Sequence, residues 1–253
     1  MNQFELVLGL AAIAVFPAQA QPFVFYRGIV PAASFHPSGP STGSIARGSI
    51  FTIFGRNLGP AQFQQVGSFP LPTEFGGVWI QITHGSATLA ALPLFVLNSQ
   101  INALMPSNAP LGSVNLQVTF NGQAGNWSPV TVVENNPGLF SIYSNGFGPG
   151  VVQNFVSDTV QPINSTKASA RPGQAIILWG TGLGPITTSD LEAPPARDLP
   201  VPVTVWVGGE VAKEAILRPR AVLLRIRPNR RPNSRRLAHG LLRSRPGSRG
   251  RRY

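Results

Sequence analysis

The strongest constraint on this chain is that it repeats itself. Arg47-Gly48-x5-Phe54-Gly55-x2-Leu58-Gly59-Pro60 returns as Pro172-Gly173-x5-Trp179-Gly180-x2-Leu183-Gly184-Pro185, an offset of 125 residues. At the same offset the alternating Val78-x-Ile80-x-Ile82 returns as Val203-x-Val205-x-Val207. Two separate segments agreeing on one offset point to a tandem of two similar units, each about a hundred residues long. The full length of 253 residues suits such an arrangement.

Within a unit the local signals are those of strands. Residues 50–54, 78–82, 94–97, 114–120 and 130–133 are short, mostly alternating and rich in β-branched and aromatic side chains. Turn formers separate them, among them Asn57, Gly76-Gly77, Asn121-Gly122 and Asn135-Asn136-Pro137-Gly138. No long window sustains a capped helical period. The fold class expected is all-β: two tandem immunoglobulin-like β-sandwiches, the second incomplete. In the repeated element the aromatic is expected to anchor the end of a core strand, and Gly55 or Gly180 to allow a positive φ. A phosphate-cradling loop is a poor alternative, because no Lys-Ser or Lys-Thr follows and no helix pattern receives the loop.

Gly48-Ser-Ile-Phe-Thr-Ile-Phe-Gly-Arg-Asn-Leu-Gly-Pro60, Leu71-Pro-Thr-x2-Gly-Gly-Val78, Ser99-Gln-Ile-Asn-Ala-x-Met-Pro106 and Gly173-x6-Gly-Thr-Gly-Leu-Gly-Pro185 carry a family resemblance. Together they resemble the uncharacterised carboxy-terminal domain of secreted acidobacterial proteins of the Solibacter type. The first block also resembles the opening strand of IPT/TIG immunoglobulin-like domains. The resemblance covers about residues 40 to 213 and implies an extracellular β-sandwich module, with no catalytic residues attached.

Charge is distributed unevenly. The formal net charge is +11, yet residues 1–213 carry seven bases and eight acids, while residues 214–253 carry thirteen Arg, no Lys and one Glu. A nucleic-acid arm would use clustered Arg to neutralise phosphates, but aromatic stacking partners are almost absent from the segment. The better account is an out-of-frame translation beginning near Lys213. Read from the second nucleotide of each codon, the codons of Pro228 and Asn229 permit Gln-Ile, matching Gln100-Ile101 of the first unit at an offset of 128. Residues 214–253 are therefore expected to be a disordered tail, and no nucleic-acid partner is expected. The absence of Cys is uninformative if the frame is lost.

At the amino terminus an apolar run, residues 6–16, precedes Pro17 and the small-x-small site Ala18-Gln19-Ala20. This predicts a signal peptide over 1–20, cleavage before Gln21 and an extracellular or cell-surface protein. Glu5 and the lack of a basic n-region depart from the usual pattern. Residues 21–40 are expected to be a linker, 41–134 the first sandwich and 137–213 most of the second. No stretch is long enough for a transmembrane helix.

Chemistry-bearing constellations are sparse. His36, His84 and His239 are the three histidines, and a Ser-His-Asp site in the first unit would have only Glu74 and Glu134 to draw on. Asp190, Glu192 and Asp198 flank a Pro-rich loop and offer at most a loose Ca²⁺ site, since a hard cation needs six or more oxygens; they read as solvated loop charges. No catalytic residue, metal site or cofactor is expected. By strand parity, Trp79 and Trp206 face out and are the candidate ligand-binding residues, able to stack on sugar rings or enter a partner's pocket. The expected function is a non-enzymatic secreted module for adhesion, carbohydrate or protein binding, or spacing. The alternative is an accessory domain of a secreted hydrolase whose catalytic part is encoded elsewhere.

Overall fold

The computed structural model describes residues 20–193, 203–207, 210–212, 214–218 and 221–225. These residues are almost entirely strand and loop, with one 3-10 turn at Ser41–Gly43. The strands are β1 (Phe23–Pro31), β2 (Ile45–Ala46), β3 (Ile50–Arg56), β4 (Gln64–Gln65), β5 (Glu74–Phe75), β6 (Val78–His84), β7 (Ala87–Val96), β8 (Gln100–Leu104), β9 (Gly112–Phe120) and β10 (Gln123–Val133). They continue with β11 (Gly138–Leu139), β12 (Val152–Asn154), β13 (Ala175–Thr181), β14 (Trp206–Val207), β15 (Glu210–Val211), β16 (Glu214–Arg218) and β17 (Ala221–Arg225).

β1 to β10 make a two-layered β-sandwich whose layers share a strand. One layer runs β1-β3-β8-β7, with β4 beyond β7; the other runs β7-β6-β9-β10-β2, with β5 beside β6. β7 serves both because its residues up to Ala91 pair with β6, while Leu92 and those after it pair with β8. Strict alternation places Val78, Ile80 and Ile82 inward on β6, and all three are buried. They meet Leu116 and Val118 of β9 and Phe51, Ile53 and Ile101 of the facing layer in one core. Each such side chain contributes roughly 1.5–3 kcal/mol when fully withdrawn from water. Asn121-Gly122, with φ of 48° and 80°, turns β9 back into β10.

Residues 21–40, expected as linker, instead contain β1. Val24 and Ile29 of this strand are buried in the core, and β1 pairs with β3 in two stretches, Phe23 and Val24 first, then Ile29 to Pro31. Residues 25–28 bulge out between them and break the alternation that would mark a strand in sequence.

The carboxy-terminal sheet, β11-β13-β17-β16 with β12 on β13, reproduces that pairing. On β3, Arg56, Gly55 and Ile53 face Phe23, Val24 and Ile29; on β13, Thr181, Gly180 and Leu178 face Gly138, Leu139 and Val152. Every β13 position is its β3 counterpart plus 125. The bulge has grown from residues 25–28 to residues 140–151. Positive φ recurs at the same offset, at Gly48 (61°) with Gly173 (82°) and at Asn57 (55°) with Gly182 (90°).

Three expectations for the repeat need correction. Gly55 and Gly180 do not have positive φ; a Cβ at Gly55 would collide with the Phe23 carbonyl oxygen, and one at Gly180 would lie 2.5 Å from that of Gly138. Both are glycine because a neighbouring backbone passes close by. The aromatic does not anchor the core: Phe54 is half-buried, its ring 5.9 Å from that of Phe35, and Trp179 is exposed with its Nε1 donating to Gln153 Oε1 at 2.6 Å. The core positions are Phe51 and Ile53, matched by Ile176 and Leu178. The alternating stretch after Val203 yields only β14, paired with β15, while Val205 packs with Ile176 and Leu178.

Strand structure also continues beyond Lys213, where disorder was expected. β16 and β17 form a hairpin, and β17 pairs with β13 at the five positions that β8 uses on β3. Ladder bonds need only main-chain groups, so this pairing does not depend on which side chains the segment carries. The remainder of the Arg-rich segment, 226–253, and residues 1–19 of the expected signal peptide lie outside the described residues.

The second copy of the motif packs on the first. Ile50 N donates to Thr181 Oγ1 at 2.8 Å. A Cβ on Gly48 would sit 2.8 Å from Gly184 O, so the repeated glycine of one copy is required by the backbone of the other.

Candidate ligand-binding cleft

β1 pairs with β3 through one edge, and its other edge faces β10 of the opposite layer. No ladder joins β1 to β10; the Asn126 side chain stands in for one. Its Oδ1 accepts from Val24 N at 2.7 Å, and its Nδ2 donates to Val24 O at 3.2 Å and to Ser128 Oγ at 3.2 Å. Asn126 reaches this position because β10 carries a bulge between Ala124 and Trp127. Gly125, also in that bulge, is crowded by the residue before β1: a Cβ there would lie 2.6 Å from Pro22 O.

The two bulges together build a cleft. In β1, Arg27 takes a φ of 56°, and a Cβ on Gly28 would lie 2.6 Å from Phe54 O, so residues 25–27 are thrust outward. In β10, the bulge turns Trp127 to the outer surface while Ser128, Val130 and Val132 stay buried. The resulting open cleft, of about 440 Å³, is lined by Phe23 (40% exposed), Phe25 (45%), Trp127 (47%) and Tyr26 (88%). Asn126, Ser128, Ser113 and Thr131 add amide and hydroxyl groups.

The cleft carries positive charge and none of the opposite sign. The Arg27 guanidinium lies 5.3 Å from the Tyr26 ring centroid, and that of Arg56 lies 4.7 Å from the Phe23 ring. No acidic residue lines the cleft. Among the described residues the ion pair found is Arg47 with Glu134, at 3.2 Å, so neither Arg27 nor Arg56 is matched to a carboxylate there. A surface of aromatic faces with amides and guanidinium groups at their edges suits stacking and hydrogen bonding.

Sequence reasoning selected other tryptophans. Trp79 does lie on the outer face of β6, between Glu74 of β5 and Thr119 of β9, and is half-buried there. Trp206 is 49% exposed on β14. The structure does not bring the two together, and neither lines the cleft. The signal that marks the cleft residues was present as the aromatic run Phe23-Val24-Phe25-Tyr26. The segment equivalent to the β1 bulge, residues 140–151, likewise exposes Ile142, Tyr143 and Phe147.

The other candidates have local partners. His84 ends β6 and its Nδ1 lies 3.0 Å from Ser113 O. His36 lines a 120 Å³ crevice with Asn136 and Thr181. Asp190 spends both carboxylate oxygens on Ser107, and Glu134 pairs with Arg47. Asp198 and His239 lie outside the described residues. Among the described residues, no three His, Asp or Glu side chains are grouped to hold a metal ion, and no helix is long and apolar enough to cross a membrane.

No protein-family model matches the chain, and no curated protein matches it either. Among solved structures, the full extracellular region of plexin A4 is similar at 11% identity with a TM-score of 0.26. The match covers 87% of this chain and 23% of the plexin chain, so this chain spans about a quarter of that protein's length.

Proposed function

We propose that this is a secreted, non-enzymatic β-sandwich protein that binds extracellular carbohydrate in the cleft between β1 and β10. The observation that carries the proposal is the grouping of Phe23, Phe25, Tyr26 and Trp127 around one open cleft, all at least 40% exposed. Large aromatic side chains are costly to leave in water, and a cluster of them on a surface marks a place where something binds. Sugar rings fit because their apolar faces stack on aromatic rings while their hydroxyls reach the amide and hydroxyl groups alongside. The leader-like segment before Gln21 supports export, which would bring the cleft to extracellular polysaccharide.

The test is a binding screen of the purified chain against insoluble and soluble polysaccharides, with F25A and W127A as variants. Both side chains are exposed, so both variants should fold, which circular dichroism checks. Retention of the parent chain and loss of retention in both variants is the expected result. Undiminished binding by both folded variants would remove the cleft from the account.

A further inference from the structure

We infer that the cleft takes an acidic polysaccharide, one whose sugar rings carry carboxylates, with Arg27 and Arg56 as the residues that select for the charge. This deepens the carbohydrate-binding proposal and rests on it. Residues 20–193 contain five basic side chains, Arg27, Arg47, Arg56, Lys167 and Arg171. One of the five, Arg27, lines this cleft; a second, Arg56, lies against the ring of the lining residue Phe23; no acid lines the cleft, and both cations are exposed. Arg47, by contrast, is committed to Glu134 and to Ala109 O.

The geometry prepares these two cations for a carboxylate. Each guanidinium lies against an aromatic ring, Arg27 on Tyr26 and Arg56 on Phe23. Stacking holds the planar group in place and leaves its N–H edge free for bidentate recognition of a planar anion. The two cations come from neighbouring strands: Arg56 ends β3 opposite Phe23 in the β1-β3 ladder, and Arg27 lies within the β1 bulge. A chain of uronate residues offers what this arrangement asks for, flat ring faces to stack and carboxylates at their edges. Nucleic acid also combines stacking faces with anions, but export separates it from this protein.

The experiment uses the full chain and one polymer in two forms: polygalacturonate, and the same polymer with its carboxylates reduced to alcohols. Affinities are measured at low and high salt for the parent, R27Q, R56Q and W127A. The Arg-rich segment 214–253 is itself a polycation, so the cleft variants decide the matter rather than binding of the acidic polymer alone. The expected result is tighter binding to polygalacturonate, weakened about tenfold by R27Q or by R56Q, as loss of one charge-assisted hydrogen-bonded pair requires. W127A should weaken both polymers. Equal binding of the two polymers, unchanged in R27Q and R56Q but lost in W127A, overturns the charge selection and leaves the cleft proposal standing. Acidic polymer bound equally by all four proteins assigns the binding to the Arg-rich segment and overturns both proposals. Preference for single-stranded DNA over polygalacturonate, lost in R27Q, overturns the assignment to sugar.

Discussion

Asp190 grips Ser107 with both carboxylate oxygens: Oδ2 accepts from Ser107 N and Oδ1 from Ser107 Oγ, each at 2.7 Å. The same hydroxyl oxygen accepts from Ile186 N at 3.0 Å, so one serine after β8 is tied by three hydrogen bonds to the segment that follows β13. With the Ile50–Thr181 bond, this contact turns two copies of a motif into a packed pair.

D190A leaves the Ser107 amide and hydroxyl without their acceptor. Stability should fall by about 1–3 kcal/mol, and limited proteolysis should cut faster within residues 182–193. Thermal unfolding and time-resolved digestion check this. A variant indistinguishable from the parent in both would show that the contact does not couple the copies.

The repeated glycines are expected to be intolerant for a steric reason. G55A and G180A would each press a methyl group against a passing carbonyl oxygen and should cost about 1–3 kcal/mol, the usual range for overpacking. Gly67 has open space around its Cβ position and no positive φ, so G67A should be neutral or stabilising by up to about 1 kcal/mol. Chemical denaturation of the three variants distinguishes close approach from a general aversion to alanine.

N126A removes the amide that substitutes for a strand between β1 and β10. Losing its bonds to Val24 should destabilise the chain by about 1–3 kcal/mol and weaken ligand binding, because Phe23 and Phe25 are positioned by that strand. N126D keeps the acceptor and loses the donor, so it should fall between N126A and the parent. Calorimetric binding and melting curves measured on the same samples test both effects.

Much of the sandwich could be read from sequence because β6 and β9 alternate cleanly, as at Val78, Ile80 and Ile82. Alternation fails where a strand bulges. In β1 the residues 25–28 stand out of register, and the strand reads as irregular sequence next to an apolar amino-terminal run. In β10 the bulge after Ala124 and Pro129 within the strand hid its first half, and with it the outward placement of Trp127. The cleft was illegible for the same reason, being made by two bulges on strands a hundred residues apart. The repeat was legible because its close packing demands glycine at fixed positions. The cause of that demand at Gly55 was a neighbouring strand, which lies outside the local window.

The out-of-frame account of the tail makes a prediction about register. β17 now sets Ala221 opposite Trp179, whereas the Gln-Ile expected at 228 and 229 corresponds to Gln100-Ile101, with Gln100 opposite Phe54. Restoring the frame after Lys213 should shift the strand opposite β13 by seven residues and raise the melting temperature of the carboxy-terminal sheet. Unchanged melting and unchanged hydrogen-exchange protection of β13 would contradict it.

The most direct test of the cleft as the binding site uses the four tryptophans as separate reporters. The indole N–H resonances of Trp79, Trp127, Trp179 and Trp206 are assigned by single substitutions and followed in nitrogen-proton NMR spectra during titration with oligogalacturonate. The expected result is a progressive shift of the Trp127 indole resonance, with those of Trp79, Trp179 and Trp206 unmoved. Shifts at Trp79 or Trp206 with Trp127 unaffected would contradict the account and place binding on the outer sheet faces instead.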